Sequence, residues 1–271
     1  MRQRLGQHFL KNKEVLEKEV AVLDLKEGET VIEIGPGEGA LTKEILKIKD
    51  KNEKLRVIAI EKDGGLVESL KETFREDKNL EIIEGDVLKV LPGITSKTKP
   101  GSYKIIGNIP YYLTGFLLRT ISELENKPEV CVFIIQKEVA ERLVSKPPKM
   151  NRLAASVQFW ANPEIIRMVS RKDFSPPPEV ESSLIKLTIH DFQFSIKERD
   201  YYKAVNVLFQ QPRKTILNNL TADTRADLKK TRIDRRSEVE NILKKIGIDP
   251  KSRPQNLGIE EISKIAGKFD F

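Results

Sequence analysis

The feature that most constrains this chain is a glycine-rich turn set between a strand pattern and a helix pattern. Thr30–Ile34 (TVIEI) is a short β-rich run. It ends in Gly35-Pro-Gly37-Glu-Gly39, and Ala40–Ile48 then reads as a helix. Glycines at such a turn let backbone approach a ligand closely. The alternation continues. Arg56–Ile60 is a second strand and Leu66–Phe74 a second helix. Leu80–Ile83, Tyr103–Ile106 and the very apolar Glu129–Ile135 are further strands. Strands alternating with helices predict an α/β, doubly wound sheet, with ligands at the carboxyl ends of its strands. Val157–Trp160 and Ser183–Ile189 read as later strands.

The pattern changes near residue 190. A Pro-rich break, Phe174 to Val180, precedes the last strand, and after His190 the chain reads as helices. These are Tyr201–Gln210, Thr215–Leu220, Ser237–Ile246 and Ile259–Ala266. The expected division is an α/β domain over 1–190 and a small all-α domain over 191–271. Residues 192–271 hold 17 Lys+Arg against 11 Asp+Glu, so this stretch carries most of the net charge of +7. A basic appendage on a near-neutral domain suits a polyanion such as RNA.

Composition excludes several classes. With 39% hydrophobic residues in 271, the chain can bury a core. Cys131 is the single cysteine, so an internal disulfide and a thiolate zinc site are out, and two histidines do not favour a His-rich metal site. No metal is expected. No apolar run reaches membrane-spanning length, and Met1-Arg2-Gln3-Arg4 opens no signal-peptide core. The expected setting is cytoplasmic, with no membrane partner and a monomeric state.

Three polar residues follow successive strands: Glu61, Asp86 and Asn108. An acidic side chain at Glu61 can accept hydrogen bonds from ribose hydroxyls. Asp86 can accept from an adenine amine. The spacing of Gly35, Gly37 and Ala40 also fits a dinucleotide turn. No Lys or Arg sits in the glycine loop to hold a pyrophosphate, which favours S-adenosylmethionine over a nicotinamide cofactor.

Asn108-Ile109-Pro110-Tyr111 is the most specific signal, together with Phe174-Ser-Pro-Pro-Pro-Glu-Val180. With Gly6 to Leu10, Glu33 to Thr42, Glu61-Lys62-Asp63, Gly85-Asp86, Gln136 to Val139, Arg213-Lys214-Thr215 and Arg253-Pro254, they match nearly end to end. On these motifs the chain resembles the small-subunit ribosomal RNA adenine N6,N6-dimethyltransferase family, of KsgA/Dim type. Met150-Asn151 depart from it, standing where many members carry Tyr-Gly.

The residue types suit that chemistry. The adenine N6 lone pair is delocalised into the ring and is a poor nucleophile. Acceptors for the N6 hydrogens, such as the Asn108 side-chain oxygen and the Ile109 carbonyl, favour a pyramidal nitrogen. Pro110 fixes φ and so the direction of that carbonyl. Tyr111 and Phe174 can stack on the two faces of an extruded base.

The resemblance implies a Rossmann-like methyltransferase domain with a helical RNA-binding domain. It implies that His8 and Leu10 close over the cofactor and that Gly35 meets its methionine part. Glu61 would hold the ribose, Asp86 the adenine, and Asn108 both cofactor and target amine. The implied reaction is dimethylation of two adjacent adenosines in the 3′-terminal hairpin loop of small-subunit rRNA, with a role in subunit biogenesis. RNA phosphates would meet Arg2, Arg4, Lys11 and Lys13, and in the tail Arg213, Lys214, Lys229, Lys230, Arg232, Arg235 and Arg236. The alternatives are a large-subunit adenine methyltransferase of the macrolide-resistance type, a non-catalytic RNA- or DNA-binding factor on the same fold and, more distantly, a nicotinamide oxidoreductase.

Overall fold

A computed structural model describes residues 8–48, 54–99, 101–190, 196–222, 232–269 and 271. The chain divides into two compact units. One comprises residues 1–141 with 161–189, the other 142–160 with 190–271.

The first unit is built on a seven-stranded sheet. Its strands are β2 (Thr30–Ile34), β3 (Arg56–Glu61), β4 (Leu80–Glu84), β5 (Tyr103–Asn108), β6 (Val130–Gln136), β7 (Ala161–Val169) and β9 (Ser182–Ile189). They lie in the order β4-β3-β2-β5-β6-β9-β7. The first five run parallel to one another, and β9 runs antiparallel to both β6 and β7. The sheet grows from β2 toward β3 and β4, then switches to the other side with β5. Such a switch point leaves a crevice at the strands' carboxyl ends. Helices α2 (Ala40–Leu46), α3 (Gly64–Thr73), α4 (Val87–Thr95) and α5 (Thr114–Ser122) follow β2, β3, β4 and β5 in turn, and α4 packs on α5. Val130–Ile135 are all buried, as expected for a strand covered on both faces.

Two small devices hold the frame near the crevice. Asp63 caps α3, its carboxylate accepting from the N–H of Gly65 and Leu66 at 2.9 and 3.3 Å. Gly107 sits where β5 crosses β2, and a Cβ there would fall 2.4 Å from the Ile34 carbonyl oxygen. At the opposite end of β5, Lys104 is fully buried. Its ammonium pairs with Glu29 at 3.0 Å and donates to the Asp24 carbonyl at 2.7 Å.

A separate two-stranded piece joins distant segments. β1 (Phe9–Leu10) pairs antiparallel with β8 (Phe174–Ser175), and α1 (Lys13–Val22) follows β1. Asn12 caps α1 through its side-chain oxygen and donates its amide to Asp173 at 2.8 Å.

The second unit has its own core, from α7 (Arg152–Gln158), α8 (Glu198–Leu208), α9 (Ile216–Ala222), α10 (Arg232–Lys245) and α11 (Ile259–Ala266). Helix α6 (Lys137–Leu143) runs across the sequence boundary of the two units. The second unit corrects two expectations. It is not the continuous tail 191–271, because residues 142–160 belong to it. Phe159 stacks on Tyr201 at 3.9 Å, and the Tyr201 hydroxyl donates to the Ala155 carbonyl. Nor is Val157–Trp160 a strand. Val157 lies in α7, which Asn151 caps by accepting from Ala154 N–H at 3.0 Å. A four-residue apolar run cannot distinguish strand from buried helix by itself. The Met150-Asn151 departure is accounted for by the same helix start: Met150 is buried in this core and Asn151 is the cap.

No helix among the described residues is long and apolar enough to cross a membrane.

Candidate active site

A cleft of about 670 Å³ opens at the switch point. All eleven residues singled out for cofactor binding or chemistry line it. They are His8, Leu10, Gly35, Gly37, Glu61, Asp86, Asn108, Ile109, Pro110, Tyr111 and Phe174.

One side of the cleft is shaped by the glycine turn after β2. Gly35 has φ +65°, and a Cβ there would meet nothing within 4 Å, so the missing side chain leaves open space. Gly37 has φ +58°, and a Cβ there would press on the Phe9 ring at 2.8 Å. Glu61, the last residue of β3, is buried. Its Oε1 accepts from the N–H of Lys62 (2.7 Å) and Asp63 (2.9 Å), and its Oε2 from that of Gly37 (3.2 Å). A carboxylate offers about four acceptor positions. One on Oε2 is therefore still free to receive a hydroxyl, in an orientation fixed by the backbone.

Asp86 caps α4 with Oδ1, accepting from Leu88 N–H at 3.1 Å. Its Oδ2 takes the Lys62 ammonium at 3.0 Å. That hydrogen bond holds the Asp86 carboxyl below its ordinary range despite some desolvation. Lys62 is well exposed, so this pair is cheap to rearrange around a ligand.

Another side of the cleft follows β5. The Asn108 Oδ1 is buried and accepts no hydrogen bond among the described residues. A buried acceptor without a donor costs roughly 1–3 kcal/mol, so it calls for an explanation. Ile109 N–H donates to the Ile134 carbonyl at 3.1 Å, locking the turn to β6. Pro110 caps the short 3-10 turn Tyr111–Leu113, its carbonyl accepting from Leu113 at 2.8 Å. The Tyr111 hydroxyl bonds the Ser182 hydroxyl at 2.9 Å, and burial raises the phenol's pKa.

The N-terminal segment and the Pro-rich loop close one wall together. The His8 ring Nδ1 donates to the Pro176 carbonyl at 2.8 Å, and the His8 ring lies 6.2 Å from that of Tyr111. Phe174 is buried, paired in register with Leu10 and packed in the hydrophobic core.

Several wall residues were not anticipated: Ser182, which holds Tyr111, and Tyr112 and Phe116 at the mouth. An aromatic doublet at a helix start, Tyr111-Tyr112, was the available signal. Beneath the glycine turn, Glu33 on β2 is fully buried and its Oε2 accepts from Thr42 at 2.7 Å. Burial raises its carboxyl to about 8. Cys131 is buried within β6, and burial pushes its thiol up.

Of the basic residues expected to meet RNA, Arg2, Arg4, Lys229 and Lys230 lie outside the described residues. Lys11 pairs with Glu38, and Lys13 with Glu17. Arg213 and Lys214 are exposed, and Arg236 donates to Asn218 at 2.9 Å.

The chain is similar to known proteins in sequence and in fold. The family model for ribosomal RNA adenine dimethylase matches residues 1–246. Ribosomal RNA small subunit methyltransferase A of Dehalococcoides mccartyi is 39% identical, covering 99% of this chain and 88% of that protein. The protein of the same name from Clostridium botulinum is 36% identical, over 97% and 91%. A crystal structure of a dimethyladenosine transferase from Plasmodium falciparum superposes with a TM-score of 0.77 at 24% identity, over 95% and 96% of the two chains. A 23S rRNA methyltransferase reaches 0.72 at 22% identity, over 96% and 98%. At these identities the two structures speak for the fold. The sequence matches go further: this chain belongs to the ribosomal RNA adenine dimethylase family.

Proposed function

We propose that this protein dimethylates N6 of two adjacent adenosines in the 3′-terminal hairpin loop of small-subunit rRNA, acting in the cytoplasm on assembling small subunits. The methyl donor is S-adenosylmethionine. The observation that carries this reading is the buried, unmatched Oδ1 of Asn108, set beside Pro110 and Tyr111 in the same cleft as Gly35, Glu61 and Asp86. An acceptor held ready without a partner fits an incoming amine.

The cleft's donor and acceptor set fits the cofactor. Gly35 leaves room for a chain to pass close to backbone, the remaining Oε2 position of Glu61 suits a ribose hydroxyl, and the Asp86 carboxylate suits an adenine amine. When bound, S-adenosylmethionine supplies a methyl group activated by a sulfonium.

The chain's own residues then prepare the nucleophile. In the first transfer Asn108 Oδ1 and the Ile109 carbonyl accept the two N6 hydrogens, which weakens conjugation of the nitrogen with the ring. One N6 hydrogen remains for the second. Each transfer, forming N–C as S–C breaks, ends with loss of one N6 proton to solvent. Ile109 cannot drift, because its N–H is tied to β6. Tyr111 and Phe174 clamp the base, each anchored by a partner: Ser182 for the first, the pairing with Leu10 for the second. Holding the reactants at contact distance contributes a large part of the rate. The exposed Arg213 and Lys214 of the second unit serve RNA binding in this reading.

The test is mass spectrometry of digested RNA after incubation with S-adenosylmethionine and unmethylated small subunits, with large-subunit RNA in parallel. N6,N6-dimethyladenosine from small subunits alone is the expected result. Product from large-subunit RNA alone would move the reading to that substrate. No product from either, with cofactor binding intact, would favour a non-catalytic binding factor.

A further inference from the structure

Tyr112 and Phe116 are the two most exposed large hydrophobic side chains among the described residues, at 65% and 64%. Both line the mouth of the cleft. Their neighbours on the opposite face of the same helical stretch, Thr114, Leu117, Leu118 and Ile121, are buried in the ordinary way. Tyr112 lies in the 3-10 turn Tyr111–Leu113, and Phe116 in the first turn of α5, which follows it directly. Between them, Gly115 adds no side chain, and a Cβ there would meet nothing within 4 Å. Two exposed aromatic side chains thus follow the Asn108–Tyr111 turn and line the cleft, with open space at Gly115. Two exposed, ion-paired cations lie near them. Lys62, paired with Asp86, lies close enough to feel the Tyr112 hydroxyl, and Arg119, paired with Glu123, follows Phe116 on α5.

Lone exposed aromatics are common and need no explanation, but two at the mouth of one cleft do. Tyr111 is held by Ser182, whereas Tyr112 and Phe116 are each exposed. We propose that Tyr112 and Phe116 form a stacking platform for a base neighbouring the target adenosine, and so fix which nucleotide of the loop enters the pocket. This rests on the rRNA reading above. Single-stranded RNA bases stack on exposed aromatic faces, with phosphates drawn by nearby cations. For a substrate with two adjacent target adenosines, the platform is where the second one rests while the first is being modified.

The test compares Tyr112→Ala, Phe116→Ala and the double variant with wild type on unmethylated small subunits. Initial rates are measured against subunit concentration, and S-adenosylmethionine affinity is measured separately by calorimetry. The expected result is a KM for subunits raised about ten- to a hundredfold per lost ring. The kcat at saturation should change far less, and cofactor affinity should hold. Tyr112→Phe and Phe116→Tyr, which keep a π face, should restore the KM. An unchanged KM in the double variant would overturn the platform, as would a loss confined to cofactor affinity, which would assign the rings to the cofactor site. If wild type itself forms no dimethyladenosine on small subunits, the rRNA reading fails and the platform with it. If wild type is active and the variants match it, the platform alone fails.

Discussion

Leu10 and Phe174 pair in register across the short antiparallel β1–β8 bridge, so the N-terminal segment and the Pro-rich loop form a single wall of the cleft. The bridge is extended by Lys11 N–H to the Asp173 carbonyl at 2.8 Å and by His8 to Pro176. Movement of either segment therefore moves the other. Phe174 carries two duties at once, being both core and cleft wall.

That double duty separates two substitutions. Phe174→Ala should cost about 3–5 kcal/mol of stability, the usual range for emptying a buried aromatic site. Phe174→Leu should cost much less while removing the stacking face. Thermal denaturation paired with RNA turnover reads both. Full turnover by a stable Phe174→Leu protein would refute the clamp.

Asn108→Ala should lower the methyl-transfer rate about 10²–10³-fold, the scale seen when one preorganised polar contact to a reacting group is removed. Its stability should not fall, since the substitution deletes a buried acceptor that has no donor in the folded protein. Single-turnover kinetics and a melting curve on the same sample decide this. A normal rate would end the acceptor role, and a large loss of stability would mean that the oxygen is matched after all.

The glycine turn gives a contrast within three residues. Gly35→Ala meets no neighbour, so its folding cost is limited to the left-handed backbone, about 1–2 kcal/mol. Its Cβ would project into open cleft, and cofactor affinity should fall more than stability. Gly107→Ala is the opposite case. Its Cβ would strike the Ile34 backbone oxygen at 2.4 Å, and two sheet strands cannot separate locally. That variant should be largely unfolded by circular dichroism. A Gly35→Ala protein with unchanged affinity for S-adenosylmethionine would place the cofactor elsewhere.

Glu33 sets a pH dependence. Its folded pKa, raised to about 8 chiefly by burial, stands above the ordinary glutamate value of 4.5. Between those two values the unfolded chain has released a proton that the folded chain retains. Stability attributable to this group is thus complete below about pH 4.5 and is lost as pH rises toward 8. Glu19, also buried, is raised in the same direction by burial and then by Glu33. Glu33→Gln keeps an oxygen for the Thr42 hydroxyl but cannot ionise. It should raise the melting temperature by several degrees at pH 8 and change it little at pH 4.5. Equal effects at both pH values would show that the carboxyl does not titrate in this window.

Much of the cleft was legible one strand end at a time. Glu61 and Asn108 end β3 and β5, and Asp86 caps the helix after β4, because parallel strands present their carboxyl ends on a common rim. Tyr112 and Phe116 were not anticipated. An aromatic inside a mixed apolar stretch reads as core unless the facing element is known, and only packing of Leu117, Leu118 and Ile121 shows which side of α5 is free.

The sequence by itself determined the α/β order of the first unit, the glycine turn and the cluster of polar strand ends, because period, turn chemistry and residue type are local properties. The tertiary structure decided what depends on distant segments. It brought Leu10 to Phe174, set Ser182 against Tyr111, and gave residues 142–160 to the helical unit through Phe159 on Tyr201. A short apolar run has no preferred partner until another surface covers it, so Val157–Trp160 could be resolved only by the core that buries Val157.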